Sequence, residues 1–354
     1  MELATGISVR KISHSRIDEV NFDHLVFGKH ISDHMLVCDY FDGDWHEPQI
    51  VPFANLSLRP DALAFHYGQT VFEGMKAFRM EDDRINIFRI GKHYNRFARS
   101  LERMCMAVPP KEIFEEGLKQ LVNLDKNWVP KQEDYALYLR PFVIATENCL
   151  GVKVSEEYRF IIFTSPVPTS FAKAIKLKVE TKFVRAAHGG TGFTKCGGNY
   201  GGAFYPTHIA RQQGYDQVLW TDATENKFIE ESGMMNIMFV IDDTLITPPL
   251  SDTILDGVTR DSLVTLAHDL GVKTHEKRIS VDELENSFRN NTISEAFGVG
   301  TAAVVAPVKT INIHDTDFHL PEYSHESISG KLKQKLENIR RGREEDTHNW
   351  NCII

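Results

Sequence analysis

The run Gly189-Gly190-Thr191-Gly192-Phe193-Thr194-Lys195-Cys196-Gly197-Gly198-Asn199-Tyr200-Gly201-Gly202 sets a single lysine among seven glycines, six of them in adjacent pairs. Glycine reaches left-handed and tightly turned conformations that other residues resist, so this tract can bend closely around Lys195 and aim its amine. When burial or a neighbouring cation favours the neutral amine, a lysine attacks an aldehyde and holds it as a Schiff base. A flexible surface loop with an incidental lysine is the plain alternative, because glycine-rich loops are common punctuation. Two nucleotide motifs fail on spelling. A Walker A loop needs glycine before the lysine and a hydroxyl residue after it, where this chain has Thr194 and Cys196. Gly190-Thr191-Gly192 is followed by Lys195 where a dinucleotide fingerprint needs its third glycine.

Pyridoxal phosphate is the aldehyde such a lysine holds, and it also needs donors for its phosphate, an anion at its ring nitrogen and a donor at its phenolic oxygen. Tyr200, five residues past Lys195, could fold its hydroxyl back toward that oxygen; a core tyrosine is the alternative. Glu231, at the edge of two apolar strands, is a carboxylate for which a pyridinium partner would account. Its neighbour Glu230 faces the other side of a regular strand, and the sequence leaves the choice between them open. Gly257-Val258-Thr259-Arg260 precedes a helix whose first amides could bind an anion, although a simple N-cap is the commoner use. Gly298-Val299-Gly300-Thr301-Ala302 repeats the pattern at a strand end, and Arg96 and Arg185 could add charge at the phosphate.

These residues need elements to hold them, and the periodicities supply strands and helices in alternation. A hairpin is predicted from Gly74–Arg79 and Arg84–Arg89, a helix from Lys92 to Met106 and another from Lys111 to Leu124, then strands at Ala136–Ile144 and Arg159–Thr164. Ser165–Ser170, with two prolines, reads as the start of a connection. Beyond it come a strand at Ile175–Thr181, a helix at Ala203–Gln213 closed by Gly214, and strands at Asp216–Thr221, Lys227–Glu231 and Met235–Ile241. Helices at Arg260–Leu270 and Val281–Asn286, a strand at Thr292–Gly298 and a charged helix at Ser324–Arg341 complete the chain. The reading is an α/β (α+β) protein of two domains: 1–168, a connection 169–178, and 179–354.

The chain has 354 residues, 42% hydrophobic and 25% charged, enough for two cores, and its formal charge of -9 argues against a nucleic-acid partner. Apolar runs such as Ile237–Ile241 are too short to span a bilayer, and the first residues predict no secretion signal. Five scattered cysteines, none in a C-x-x-C pair, fit reduced thiols in a cytosol. His314, Asp315, Asp317, His319 and His325 lack zinc-site spacing, so no metal is expected.

With these residues in place, the chain resembles the branched-chain amino-acid aminotransferases of the pyridoxal-phosphate fold type IV family. The likeness runs through Phe27-Gly28, Asp33-His34-Met35, Phe72-Glu73-Gly74-Met75-Lys76-Ala77-Phe78, Tyr138-Leu139-Arg140-Pro141, Cys196-Gly197-Gly198-Asn199-Tyr200 and Gly257-Val258-Thr259-Arg260. It implies a smaller N-terminal domain, a larger cofactor-binding one and an active site at their interface. It further implies Lys195 as the Schiff-base lysine, Tyr200 at the phenolic oxygen and Glu231 at the ring nitrogen, with Arg96, Arg185, Val258, Thr259 and Thr301 around the phosphate. Tyr67, Tyr138, Arg140 and the Thr301-Ala302 turn would take the substrate, an amino acid or 2-oxo acid, in a cytoplasmic homodimer. Where some members carry a redox C-x-x-C, this chain reads Thr301-Ala302-Ala303-Val304-Val305, so thiol control is expected to be absent. Ser170 before Phe171, and Ile31, depart from the family's aromatic pocket wall and bear on side-chain preference. Competing readings are a D-amino-acid aminotransferase, an aminodeoxychorismate lyase, or a binding protein that has kept the scaffold without the cofactor.

Overall fold

Strand pairing, more than chain order, decides which segments belong together. The computed structural model describes residues 6–169 and 173–354, and the chain divides into two units. One takes the described residues up to Thr169 together with Thr194–Gly198 and Ile339–Ile354; the other takes the rest. Two stretches that the sequence assigns to the second domain therefore return to the first unit. Cys196 bridges Val71, and Asn351–Ile353 lies antiparallel to Phe88–Asn86. Ser170 and Phe171, and with them part of the expected 169–178 connection, lie outside the described residues.

The first unit contains β1 (His34–Phe41), β2 (Gln49–Pro52), α1 (Ala64–Tyr67), β3 (Thr70–Phe72), β4 (Met75–Arg79), β5 (Ile85–Phe88), α2 (Ile90–Arg103), α3 (Lys111–Leu124), β6 (Tyr135–Ala145) and β7 (Tyr158–Pro168). Its sheet runs β2-β1-β7-β6-β4-β5 and ends on Asn351–Ile353, with β3 paired to β6. The expected hairpin is present as β4 and β5, with Arg79 opposite Ile85. Strand β7 continues through Pro166 and Pro168, where the sequence suggested a connection. It can do so because β1 accompanies it only as far as Phe163, while β6 pairs it to Pro168. Both prolines share one parity, so their missing N–H groups point to the unpaired side. The α2 face made by Ile90, His93, Arg96, Phe97, Ser100 and Leu101 is buried. Phe97 meets Phe114 of α3 and Phe160 of β7 at ring-centroid distances of 5.6 and 5.9 Å, while His93, Arg96 and Ser100 form a buried polar stripe beside them.

The second unit contains β8 (Ile175–Glu180), α4 (Phe204–Gln212), β9 (Gln217–Thr221), β10 (Ile229–Ser232), β11 (Met235–Ile241), β12 (Thr244–Thr247), α5 (Val258–Asp269), α6 (Val281–Arg289), β13 (Ile293–Gly300), β14 (Val304–Ile313) and all but the last three residues of α7 (Ile328–Arg341). Strands β10-β9-β8-β14-β13-β11 follow one another, and β11 pairs back to β10, so the sheet closes on itself and leaves no edge among these strands. Strands β12 and β14 are absent from the sequence reading; Pro307 interrupts the apolar run of β14 yet sits in register with Phe297. Helix α7 begins later than its charge pattern suggests because both carboxylate oxygens of Glu295 accept its first amides, Ile328 at 2.8 Å and Ser329 at 3.0 Å. Among the described residues no helix is long and apolar enough to cross a membrane.

Candidate active site

Lys195 is held by backbone on both sides. Its carbonyl accepts the Phe72 amide at 3.0 Å, Gly197 donates to the Thr70 carbonyl at 3.1 Å, and so Lys195–Gly197 runs beside β3 as a short added strand. A Cβ on Gly197 would come within 2.7 Å of Thr70 Cγ2, which is why the tract needs glycine there. The Lys195 amide donates to Ser100 Oγ at 3.0 Å, and that hydroxyl donates to the Arg96 carbonyl at 2.9 Å. Thus the polar stripe of α2 sets the lysine backbone. Its Nζ stands 4.9 Å from the centre of the Phe72 ring, and the Arg140 guanidinium stands 4.7 Å from the same ring. Arg140 Nη2 donates to the Tyr138 hydroxyl at 3.1 Å, and a Cβ on Gly74 would lie 1.9 Å from that hydroxyl, so glycine at 74 is what admits the tyrosine.

Behind this group lies a fully buried carboxylate. Glu73 accepts Arg96 Nε at 2.6 Å, Arg96 Nη2 at 2.8 Å, His93 Nδ1 at 2.8 Å and the Gly74 amide at 3.0 Å. Burial raises the Glu73 carboxyl, but the charges and hydrogen bonds of Arg96 and His93 outweigh it and hold the group well below the usual carboxylate range. Burial lowers His93, against the opposing pull of Glu73, and the charges of Arg96 and Lys195 lower it further. Both groups bind their proton more weakly folded than unfolded, so stability is present at neutral pH and lost on acidification. We expect the urea midpoint to fall as pH drops below about 6.5, the ordinary histidine value, and His93→Gln to flatten that first part of the profile. Glu73→Gln should cost about 3–5 kcal/mol at pH 7, because it replaces the anion of a buried ion pair with Arg96 by a neutral amide. Urea titrations at several pH values check both.

In the second unit, Glu231 lies 3% exposed on β10, just before the tight Gly233-Met234 turn into β11. Its Oε1 accepts the Leu255 amide at 2.8 Å and Asn236 Nδ2 at 3.4 Å, while Arg185 Nε is 3.1 Å from Oε2. Arg185 Nη2 donates to the carbonyls of Gly192, at 3.1 Å, and Thr253. The resemblance puts Arg185 at the phosphate; the structure commits it to Glu231 and two carbonyls. Gly192 is again required by space, since a Cβ would stand 2.5 Å from Ala186 Cβ and 2.7 Å from Thr253 Cα. Asn236 ties Glu231 to the start of α5: its Nδ2 donates to the Leu255 carbonyl at 2.9 Å, and a Cβ on Gly257 would lie 1.9 Å from its Oδ1. Gly257 caps α5 without a side-chain hydrogen bond, ahead of Val258 and the buried Thr259.

Tyr200 sits half-buried in the helical turn Gly198–Gly201, next to Asn199, whose side chain exchanges two 2.8 Å hydrogen bonds with Thr191. Thr301 and Ala302 form the turn between β13 and β14, which Val304 closes with φ at +61°, a costly angle for a β-branched residue. Tyr67 is exposed at the end of α1, and its hydroxyl donates to the Leu150 carbonyl at 2.5 Å. Sequence reasoning missed Ser100, His93, Glu73 as a partner of Arg96, Asn236 and Thr253. For Ser100 and His93 the signal was available: both share the helical face of Arg96.

The model of the family described as amino-transferase class IV matches residues 70–311. The chain belongs to the class IV amino-transferases. Its likeness to other members reaches beyond the matched span: it is 45% identical over 335 residues to branched-chain-amino-acid transaminase 1 of Bacillus subtilis (strain 168), covering 93% of this chain and 94% of that protein. Among solved structures, it is similar to the branched-chain aminotransferase from Thermoproteus uzoniensis with norvaline, with a TM-score of 0.75, 26% identity, and coverage of 90% of this chain and 99% of that one. It is also similar to the T.th. branched-chain amino acid aminotransferase complexed with N-(5'-phosphopyridoxyl)-L-glutamate, with a TM-score of 0.72, 26% identity, and coverage of 89% and 97%. The class IV chain is an aminotransferase with the fold type IV architecture that the resemblance implied.

Proposed function

We propose that this chain is a branched-chain amino-acid aminotransferase that passes an amino group reversibly between L-leucine, L-isoleucine or L-valine and 2-oxoglutarate, giving the branched 2-oxo acid and L-glutamate. The Bacillus subtilis relative is named as a branched-chain-amino-acid transaminase, and the three amino acids with 2-oxoglutarate are the substrates that the family resemblance implies. The observation that carries the cofactor is the buried Glu231 carboxylate joined through Asn236 to the start of α5. A buried anion at one end and helix amides at the other suit a molecule with a basic ring nitrogen and a phosphate. Pyridoxal 5'-phosphate, when bound, supplies an aldehyde that accepts the amino group and a ring that stores the electron pair left when the α-proton departs.

Lys195 Nζ would hold the aldehyde of that group when it is bound and, once substrate has freed the amine, would be the base that takes the proton from the substrate's α-carbon. Glu231 keeps the proton on the ring nitrogen, and Tyr200 donates to the phenolic oxygen. Arg96, Val258, Thr259 and Thr301 hold the phosphate. Tyr67, Tyr138, Arg140 and the Thr301-Ala302 turn bind the substrate. One pocket must take both a branched apolar side chain and a γ-carboxylate. The Phe72 and Tyr138 rings offer apolar faces, and Arg140, stacked on both, offers the cation.

An assay of the three branched L-amino acids with 2-oxoglutarate tests the reading; turnover of D-alanine in their place would sink it. For Arg140→Met we expect the KM for 2-oxoglutarate to rise about 10- to 100-fold, the worth of a charged hydrogen bond, while the single-turnover rate with L-leucine stays within a few-fold of the parent. Equal losses in both half-reactions would remove Arg140 from the γ-carboxylate role. A cytoplasmic homodimer belongs to the same proposal. All five cysteines are free thiols, and Leu150, Val152 and Val154 expose apolar side chains on one loop, a surface that a second copy would cover. Light scattering should return twice the chain mass, and Val152→Asp should lower it.

A further inference from the structure

Strand β10 carries two adjacent glutamates on opposite faces, and the proposed mechanism uses only Glu231. Glu230 is nonetheless buried, at 8% exposure. Burial raises its carboxyl above the usual range, against the hydrogen bond from Thr253 and the charge of Arg185; Asp222 and Arg278 are the other charged groups it feels. A buried carboxyl is costly unless its oxygens find hydrogen-bond partners.

The segment from Pro248 to Gly257 has no helix or strand, so side chains fix its course. It is strung between the two glutamates. Thr253 Oγ1 donates to Glu230 Oε1 at 2.6 Å, and the Leu255 amide donates to Glu231 Oε1 at 2.8 Å. The Thr253 carbonyl then accepts Arg185 Nη2, and Arg185 Nε stands 3.1 Å from Glu231 Oε2. Glu230 is therefore joined to Glu231 through one threonine and one guanidinium. Gly192 packs against Thr253 so closely that no side chain fits between them, which leaves the threonine carbonyl little room to turn without losing Arg185.

We propose that Glu230 is a positioning residue: by accepting from Thr253 it keeps Arg185 against Glu231, and so sustains the negative charge that the cofactor's ring nitrogen meets. The inference rests on Glu231 as the ring-nitrogen partner. Oε1 accepts whether or not the other oxygen carries a proton, so the role needs an acceptor and not a charge. Glutamine should serve, and an apolar residue should not.

The test loads cofactor labelled with 15N at the ring nitrogen into the parent and its variants, and follows the 15N shift against pH. Thr253→Ser and Glu230→Gln should titrate with the parent. Thr253→Val and Glu230→Leu should lower the apparent pKa of the ring nitrogen by about one unit, a tenfold loss of proton affinity. Arg185→Gln should lower it further, and adding Thr253→Val to Arg185→Gln should change nothing more, because both act through one cation. Should Glu230→Leu fail to fold, Thr253→Val, which keeps the side-chain volume, decides alone. Parent-like titration of Thr253→Val, or additive effects in the double variant, overturns the proposal. Glu231→Gln separates the two layers: if it also titrates like the parent, the ring-nitrogen assignment falls; if it alone shifts, only the role of Glu230 does.

Discussion

Lys195→Ala is expected to lose about 10⁴-fold or more in turnover, because the variant has no group to move the α-proton and no covalent hold on the cofactor. The substitution leaves the backbone pairing intact: the Lys195 carbonyl and amide make the bonds to Phe72 and Ser100, and neither uses the side chain. Thermal stability should therefore stay near that of the parent. Borohydride treatment of the parent followed by mass spectrometry should find the phosphopyridoxyl mass on Lys195, and the visible absorption of the parent should vanish in the variant. A label on another residue, or a variant that stays yellow and active, would overturn the functional reading.

Glu231→Gln should keep the cofactor yet lose about 10²- to 10³-fold in kcat, the scale on which a preorganised electrostatic partner acts. Glutamine preserves an acceptor for the Leu255 amide and most of the packing beside Asn236, so the loop ahead of α5 should hold its course. What disappears is the charge that keeps a proton on the ring nitrogen. The lost charge also leaves Arg185 buried against a neutral amide, with its side chain 8% exposed, so a moderate loss of stability accompanies the kinetic effect. Steady-state rates together with a fluorescence measurement of cofactor affinity check the split. A variant that turns over at the parental rate would remove Glu231 from its role.

The two arginines show how a residue's type can be legible when its partner is not. The sequence offers Arg96 and Arg185 alike as cations for a phosphate. In the fold, two nitrogens of Arg96 bind Glu73, and Arg185 serves Glu231. Glu73 precedes Arg96 by a hairpin and the first half of α2, and Arg185 is separated from Glu231 by the whole glycine tract, helix α4 and strand β9. No local period spans such distances, so only the closed barrel and the β3–β4 turn could make these pairs. The same holds for β7, where the sequence shows two prolines and implies a break. The fold has a neighbour on one side only, and the break does not occur.

By itself the sequence determined the chemistry on offer: a lysine in a glycine tract, a carboxylate on an apolar strand, a small-residue helix start and a two-domain alternation of strands and helices, because these depend on residue type and short spacing. Tertiary structure alone decided which groups meet. It returned Thr194–Gly198 and the C-terminal strand to the first unit, laid Lys195 beside β3 and Ser100, chose Glu231 over Glu230 for the Leu255 amide, and gave Arg185 to that carboxylate. The reason is physical: buried charges and backbone amides must find partners wherever the chain brings them, and that demand is settled by strand pairing between residues far apart in sequence.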